Sequence, residues 1–171
     1  KKIKKSYDTI KFLLSRYFAG LIVQIFILFI IYTIILLIIG TPNAVVIAFL
    51  CSLLNLIPFI GPFIGGILMV LLTMSSHISE DFSAVILPKA IYVTIGFAFG
   101  QIIDNFLSQP LIFSNSVKSH PLEIFLVIVI AGLLFGPIGM IAAIPTYTAL
   151  KVVGKEFLSE NRIIKELTKN L

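Results

Sequence analysis

Tryptophan is absent from this chain, cysteine occurs once, histidine twice, and charged residues make up only 12% of its 171 residues. Each shortage excludes something. A single cysteine, Cys51, rules out an intrachain disulfide and a cysteine-based metal cluster, and within its apolar stretch it reads as a small buried hydrophobe. His77 and His120 stand far apart with no cysteine or second histidine nearby, so both read as loop histidines and no metal site is expected. No H-E-x-x-H, G-x-S-x-G or G-x-x-x-x-G-K-[ST] occurs, which leaves neither a hydrolase nor an ATP-driven machine with local support. No enzyme and no cofactor are expected, apart from any ion that is carried.

The scarcity of charge also sets the class. Soluble domains carry about a quarter charged residues, whereas this chain is 58% hydrophobic with a mean hydropathy of +1.10. It reads as an all-α integral membrane protein whose first partner is the lipid bilayer. The chain starts at Lys1 rather than Met and shows no signal-peptide series, so a piece of a longer protein is expected. Its net charge of +5 gathers at the ends, with Lys1, Lys2, Lys4, Lys5, Lys11 and Arg16 at the start. Basic flanks beside spans stay on the cytoplasmic side. They are not interleaved with stacking aromatics on a soluble module, so no nucleic-acid partner is expected.

From Ile3 to Tyr17, the apolar positions Ile3, Tyr7, Ile10, Leu14 and Tyr17 recur at steps of three and four. That spacing predicts an amphipathic helix over 1–17, able to lie in the headgroup region or pack on a neighbour. Residues 18–39 carry no charge and are long enough to span, with Gln24, Tyr32 and Thr33 as the polar interruptions. Gly40-Thr41-Pro42-Asn43 then reads as a stop and turn.

Residues 44–74 form an apolar run broken at its centre by N-L-I-P-F-I-G-P-F-I-G-G, Asn55 to Gly66. Pro58 and Pro62 lack the N–H a continuous helix needs, and Gly61, Gly65 and Gly66 permit reversal or close approach. Each arm is about a dozen residues, or roughly 18–21 Å at 1.5 Å per residue, short of a bilayer core of about 30 Å. A re-entrant hairpin fits those arms better than a pair of thin, tilted spans.

After a slightly acidic loop at residues 75–83, a second full span is read over 84–106, with Pro88 in its first turns and Lys89 able to snorkel to the headgroups. Gln101, Asp104, Asn105 and Ser108 near its end share a helical face. Asp104 is a carboxylate at the edge of membrane depth, where burial must be balanced by pairing, protonation or an ion. It is either a functional group or a solvated helix end. Residues 122–150 repeat the broken pattern at Gly136, Pro137 and Gly139, with Pro145 weakening the second arm. The tail, 151–171, reads as a second amphipathic, cytoplasmic helix.

With both broken segments re-entrant, only two full spans remain, and both basic ends fall on the cytoplasmic side. Five complete crossings would separate those ends, against the charge rule. The chain then becomes two span-plus-hairpin units of opposite orientation, the pattern of an inverted repeat with a site near the midplane. In that site Asn55, Pro58 and Gly61 would face Gln101, Asp104 and Asn105, binding substrate or ion. Pro62, Gly65, Gly66, Gly136, Pro137, Gly139 and Pro145 would serve as structural breaks.

The series Asn55–Gly66, D-N-F-L-S-Q-P-L-I-F at Asp104–Phe113, H-P-L-E at His120–Glu123 and F-G-P-I-G-M-I-A-A-I-P at Phe135–Pro145 resembles the C-terminal half of the autoinducer-2 exporter family of bacterial inner-membrane transporters. That resemblance implies export of a small polar signal or exchange of sodium or lithium for protons, and assembly as a homo-oligomer. A passive channel and a membrane scaffold without transport are the alternatives read from the same residues.

Overall fold

The computed structural model describes residues 2–108 and 120–157, whose regular elements are helices joined by turns, with no strand among them. The loop at residues 109–119 and the tail beyond residue 157 lie outside the described residues, and with them most of the expected 151–171 helix. The chain divides into two compact units, Leu21–Gln109 and Lys1–Gly20 with Pro110–Leu171.

Helix α1 runs unbroken over Lys2–Ile39. The amphipathic start and the first apolar span are therefore one 38-residue helix, and nothing breaks it at Tyr17, because the sequence there offers neither proline nor a cap. It stops at Gly40, whose φ of 72° is left-handed. Gly40 N–H donates to Leu37 O and Thr41 N–H reaches back to Leu36 O, satisfying the last carbonyls as glycine-terminated helices do.

Asn43, also left-handed at φ 56°, leads into α2, Ala44–Leu54, and α3 follows over Ile60–Ser76. The reversal lies in residues 55–59, with Phe59 strained at φ 67°. Pro62, Gly65 and Gly66 fall inside α3 and do not break it. Pro62 occupies the first turn, where its missing N–H costs nothing. A Cβ on Gly61 would stand 1.8 Å from Leu54 O, and one on Gly65 3.3 Å from Cys51 O. Residues 61 and 65 thus face 54 and 51 in turn, so α2 and α3 are antiparallel arms in backbone contact.

Helix α4, Leu87–Ile103, has a π-helical turn at each end, Phe82–Ile86 and Asp104–Ser108. Asp81 opens the element by accepting from Ala84 N–H at 2.7 Å. Gly96 and Gly100 lie against Ile35 and the Tyr32 ring of α1, the small-x-x-x-small arrangement that lets helices approach in lipid. Phe97 stacks on Tyr32 at 5.3 Å between centroids. Leu28, Tyr32, Leu36, Ala48, Cys51, Met69 and Val93 form the core of this unit.

Helix α5, Pro121–Phe157, is doubled back at Gly136, whose φ of 65° and ψ of −153° are not helical. Lys151 Nζ lies 3.3 Å from Glu123 Oε1, although 28 residues of straight helix would hold them about 42 Å apart. A Cβ on Gly139 would come 2.3 Å from Ala131 O, so these arms also touch backbone to backbone. Pro137 starts the second arm, a position suited to proline. Gly139 and Pro145 lie within that arm, and the helix continues through both.

Ser6–Ile39, Phe82–Phe106 and Leu122–Lys155 are long and apolar enough to cross a membrane, while α2 and α3 are shorter. The last of the three is the helix folded at Gly136. Around the core, Ile22, Phe26, Ile34, Ile38, Ile95 and Phe99 face outward and exposed. Such a continuous apolar exterior is stable in lipid and not in water.

Candidate functional site

A polar seam crosses the apolar interior of the Leu21–Gln109 unit. On α1 the buried positions are Leu21, Gln24, Leu28, Tyr32 and Leu36, spaced three or four apart, so the inward stripe of the helix carries two polar side chains. Gln101 Nε2 donates to Tyr32 Oη at 2.6 Å and contacts Asn55 Oδ1 at 3.2 Å. Asn55 Nδ2 in turn donates to Cys51 O at 3.0 Å. One amide on α4 therefore ties α1 to the tip of the α2–α3 hairpin.

One turn beyond Gln101, Asp104 is fully buried. Its Oδ2 accepts from Gln24 Nε2 at 2.8 Å. Asp104 also begins the π-turn, a distortion frequently found at functional sites. A buried carboxylate is balanced by partners, a proton or a cation, and one of the bonds to Asp104 comes from the neutral amide of Gln24.

Of the residues expected at the site, Asn55 and Gln101 are joined directly, and Asp104 lies a turn away on the same helix. Pro58 sits half-buried in the reversal. Gly61 is placed by packing, against Leu54 O. Asn105 is exposed, because adjacent residues on a helical turn point about 100° apart. Gln24 and Tyr32 were legible only as polar interruptions of a span. Their spacing from Leu28 and Leu36 was the signal that they face inward.

A second polar node joins three helix ends. Lys89 Nζ donates to Gly40 O at 3.1 Å and to His77 Nε2 at 2.6 Å, and His77 Nδ1 donates to Thr73 O at 2.9 Å. His77 is 3% exposed, so it is not the solvated loop residue its neighbours suggest. In the other unit, Glu123 accepts from Tyr147 and Lys151 across the arms of α5.

Described residues without a strand, an apolar exterior and helices long enough to cross a bilayer mark a membrane protein. It belongs to the AI-2E transporter family, whose model, described as "AI-2E family transporter", matches residues 1–159. Among its relatives, "Putative transport protein YueF" of Bacillus subtilis is 32% identical over 129 residues, 75% of this chain and 32% of that protein. "Putative transport protein YrrI" of the same organism is 32% identical over 120 residues, 70% and 31% of the two chains. "Putative transport protein MT0215" of Mycobacterium tuberculosis is 32% identical over 112 residues, 63% and 27%. The chain thus spans about a third of the length of the curated relatives it matches, 27% to 32%. No solved structure matches it.

Proposed function

We propose that this chain is the site-bearing part of a secondary transporter of the bacterial inner membrane. It moves a small polar signal of the autoinducer-2 kind, or a monovalent cation such as sodium or lithium, in exchange for protons. The observation that carries this reading is Asp104, fully buried yet bonded only one turn from the amide that holds the hairpin tip. Secondary transporters place their sites where broken helices meet continuous ones, and here Asn55 at the break meets Gln101 and Tyr32 on the continuous helices. The channel reading lacks an equivalent reason for a buried carboxylate one turn from the amide bonded to the break.

The same reading makes both hairpins re-entrant. For the first hairpin the support is local: α2 starts four residues after Gly40, and the end of α3 returns to Gly40 through Lys89. Each second arm begins with a Gly-Pro pair, Gly61-Pro62 and Gly136-Pro137, and each brings a glycine onto a carbonyl of its first arm. That likeness favours an inverted repeat, a homo-oligomer built from it, and both ends in the cytoplasm.

The test is flux in sealed liposomes containing the full-length protein, with a pH-sensitive dye inside and sodium, lithium or potassium pulsed outside, alongside uptake of labelled signal. Asp104→Asn is expected to reduce proton-coupled flux to background with assembly unchanged. Wild-type coupling in that variant would remove Asp104 from the mechanism, and single-channel currents would replace the transporter by a pore.

A further inference from the structure

The mechanism needs Asp104 to exist both with and without its proton inside the polar seam, yet it gives no role to Gln24, which is bonded to it. Gln24 is 4% exposed, and its amide is used on one side only. Nε2 donates to Asp104 Oδ2 at 2.8 Å, while Oε1 is buried without a hydrogen-bond partner. A buried amide oxygen left unmatched costs free energy comparable to a lost hydrogen bond. Such a group calls for an explanation, and a second state that uses it is one.

An amide is the side chain fitted to that task. It carries donors on nitrogen and an acceptor on oxygen, attached to one carbon and exchanged by a half-turn about the terminal bond. An ionised carboxylate only accepts, so it calls for the Nε2 face. A protonated carboxyl keeps one acceptor oxygen and gains an O–H, and with the proton on Oδ2 it calls for the Oε1 face. Gln24 sits on the inward stripe of α1 between Leu21 and Leu28.

We propose that Gln24 is the positioning residue of Asp104, and that its amide reverses as Asp104 gains or loses a proton, so that each state of the carboxyl keeps a hydrogen bond to α1. This rests on the reading of Asp104 as the exchanging group. In the structure the amide presents nitrogen, the orientation that matches the ionised form. The other polar or titratable groups of the seam are Tyr32 on α1, Cys51 and Asn55 on the hairpin and Gln101 on α4. The last three are uncharged under ordinary conditions, as is the Tyr32 phenol, which is held by Gln101. Gln24, bonded directly to the carboxyl, is a group whose orientation follows the charge.

Consequences follow from the strengths of the two bonds. A hydrogen bond to a carboxylate is worth more than one to a neutral acid, so removing the amide favours the protonated form and moves the protonation midpoint of Asp104 upward by roughly one pH unit. A residue that merely filled space would leave the midpoint in place.

The experiment is an infrared titration of the purified full-length protein, following the carboxylic-acid band that disappears in Asp104→Asn, in wild type, Gln24→Leu and Gln24→Met. Methionine nearly matches glutamine in volume, so a folded, assembled variant is secured even if leucine packs badly. The expected result is a midpoint about one pH unit higher in both variants, with the pH profile of liposome flux displaced in the same direction. An unchanged midpoint in Gln24→Met overturns the proposal while leaving the role of Asp104 standing. A wild-type protein with the expected infrared band but no proton-coupled flux overturns the transport reading and leaves the positioning role intact. Absence of any band assignable to Asp104 across the titration overturns the proposal, because no protonated state then exists for the amide to serve.

Discussion

Lys89 sits where two helix C-termini converge. The carbonyl ends of α1 and α3 carry partial negative charge, and the ammonium answers both, through Gly40 O and through His77. Because an ammonium only donates, His77 Nε2 is the acceptor and Nδ1 bears the hydrogen given to Thr73 O. Lys89→Met is expected to destabilise the protein by about 2–3 kcal/mol, since it removes a charge-assisted bond and leaves a buried ring nitrogen unmatched. The check is detergent-solubilised thermal or denaturant unfolding. A change within about 0.5 kcal/mol, the usual range for exposed substitutions, would mean that the ammonium snorkels to the headgroups instead. Snorkelling is what the sequence suggests for a lysine in the first turns of a span, and a loop position is what it suggests for His77. Neither residue's partner could be read, because Gly40, His77 and Lys89 meet through three separate chain reversals. Asp104 was legible for the opposite reason: a carboxylate near the end of an apolar run stands out before any contact is known.

At the scale of elements, the two hairpins show which part of a Pro/Gly pattern is a break and which part is packing. The interruptions at Asn55–Gly66 and Gly136–Gly139 were plain in the sequence. The turning residues were not, because glycine serves reversal and close approach equally well and its type alone does not say which. The first reversal uses Phe59, a non-glycine at φ 67°, while Gly61 is kept free of a Cβ by the Leu54 carbonyl. The second uses Gly136, which has open space around it but a φ of 65°. These roles separate in mutants. Gly61→Ala forces the arms of α2 and α3 apart, because a Cβ at 1.8 Å from a backbone oxygen cannot be absorbed by a side-chain rotation. A loss of about 3 kcal/mol or more is expected, within the range of severe overpacking. Gly65→Ala meets Cys51 O at 3.3 Å, a contact that a shift of a few tenths of an ångström relieves, and is expected to cost about 1 kcal/mol or less. Unfolding midpoints of the pair measured side by side decide the matter: equal losses would mean that the arms are not held in backbone contact at Gly61.

For the whole molecule, the question is how many times the chain crosses the bilayer, and the answer decides which groups can reach which face. Length and apolarity mark Leu122–Lys155 as a span, but the fold at Gly136 returns Lys151 to Glu123, so the two ends of that helix lie together. Residues 43 and 78 likewise flank a hairpin whose end is tied back to Gly40 through Lys89. If each hairpin enters and leaves by one face, α1 and α4 make the only full crossings among the described residues, and an even count keeps the basic start of the chain and the second hairpin's basic end on one side. The labelling experiment follows from that count. In a Cys51→Ala background, single cysteines at Asn43 and Ile78 should react with a membrane-impermeant maleimide from the outside of intact cells. Cysteines at His120 and Lys155 should react only after the cells are opened. Labelling of the two ends of either hairpin from opposite faces would turn that hairpin into a pair of thin spans. It would also put Asn55 at a headgroup layer, whereas the proposed transport site requires it near mid-bilayer beside Gln101.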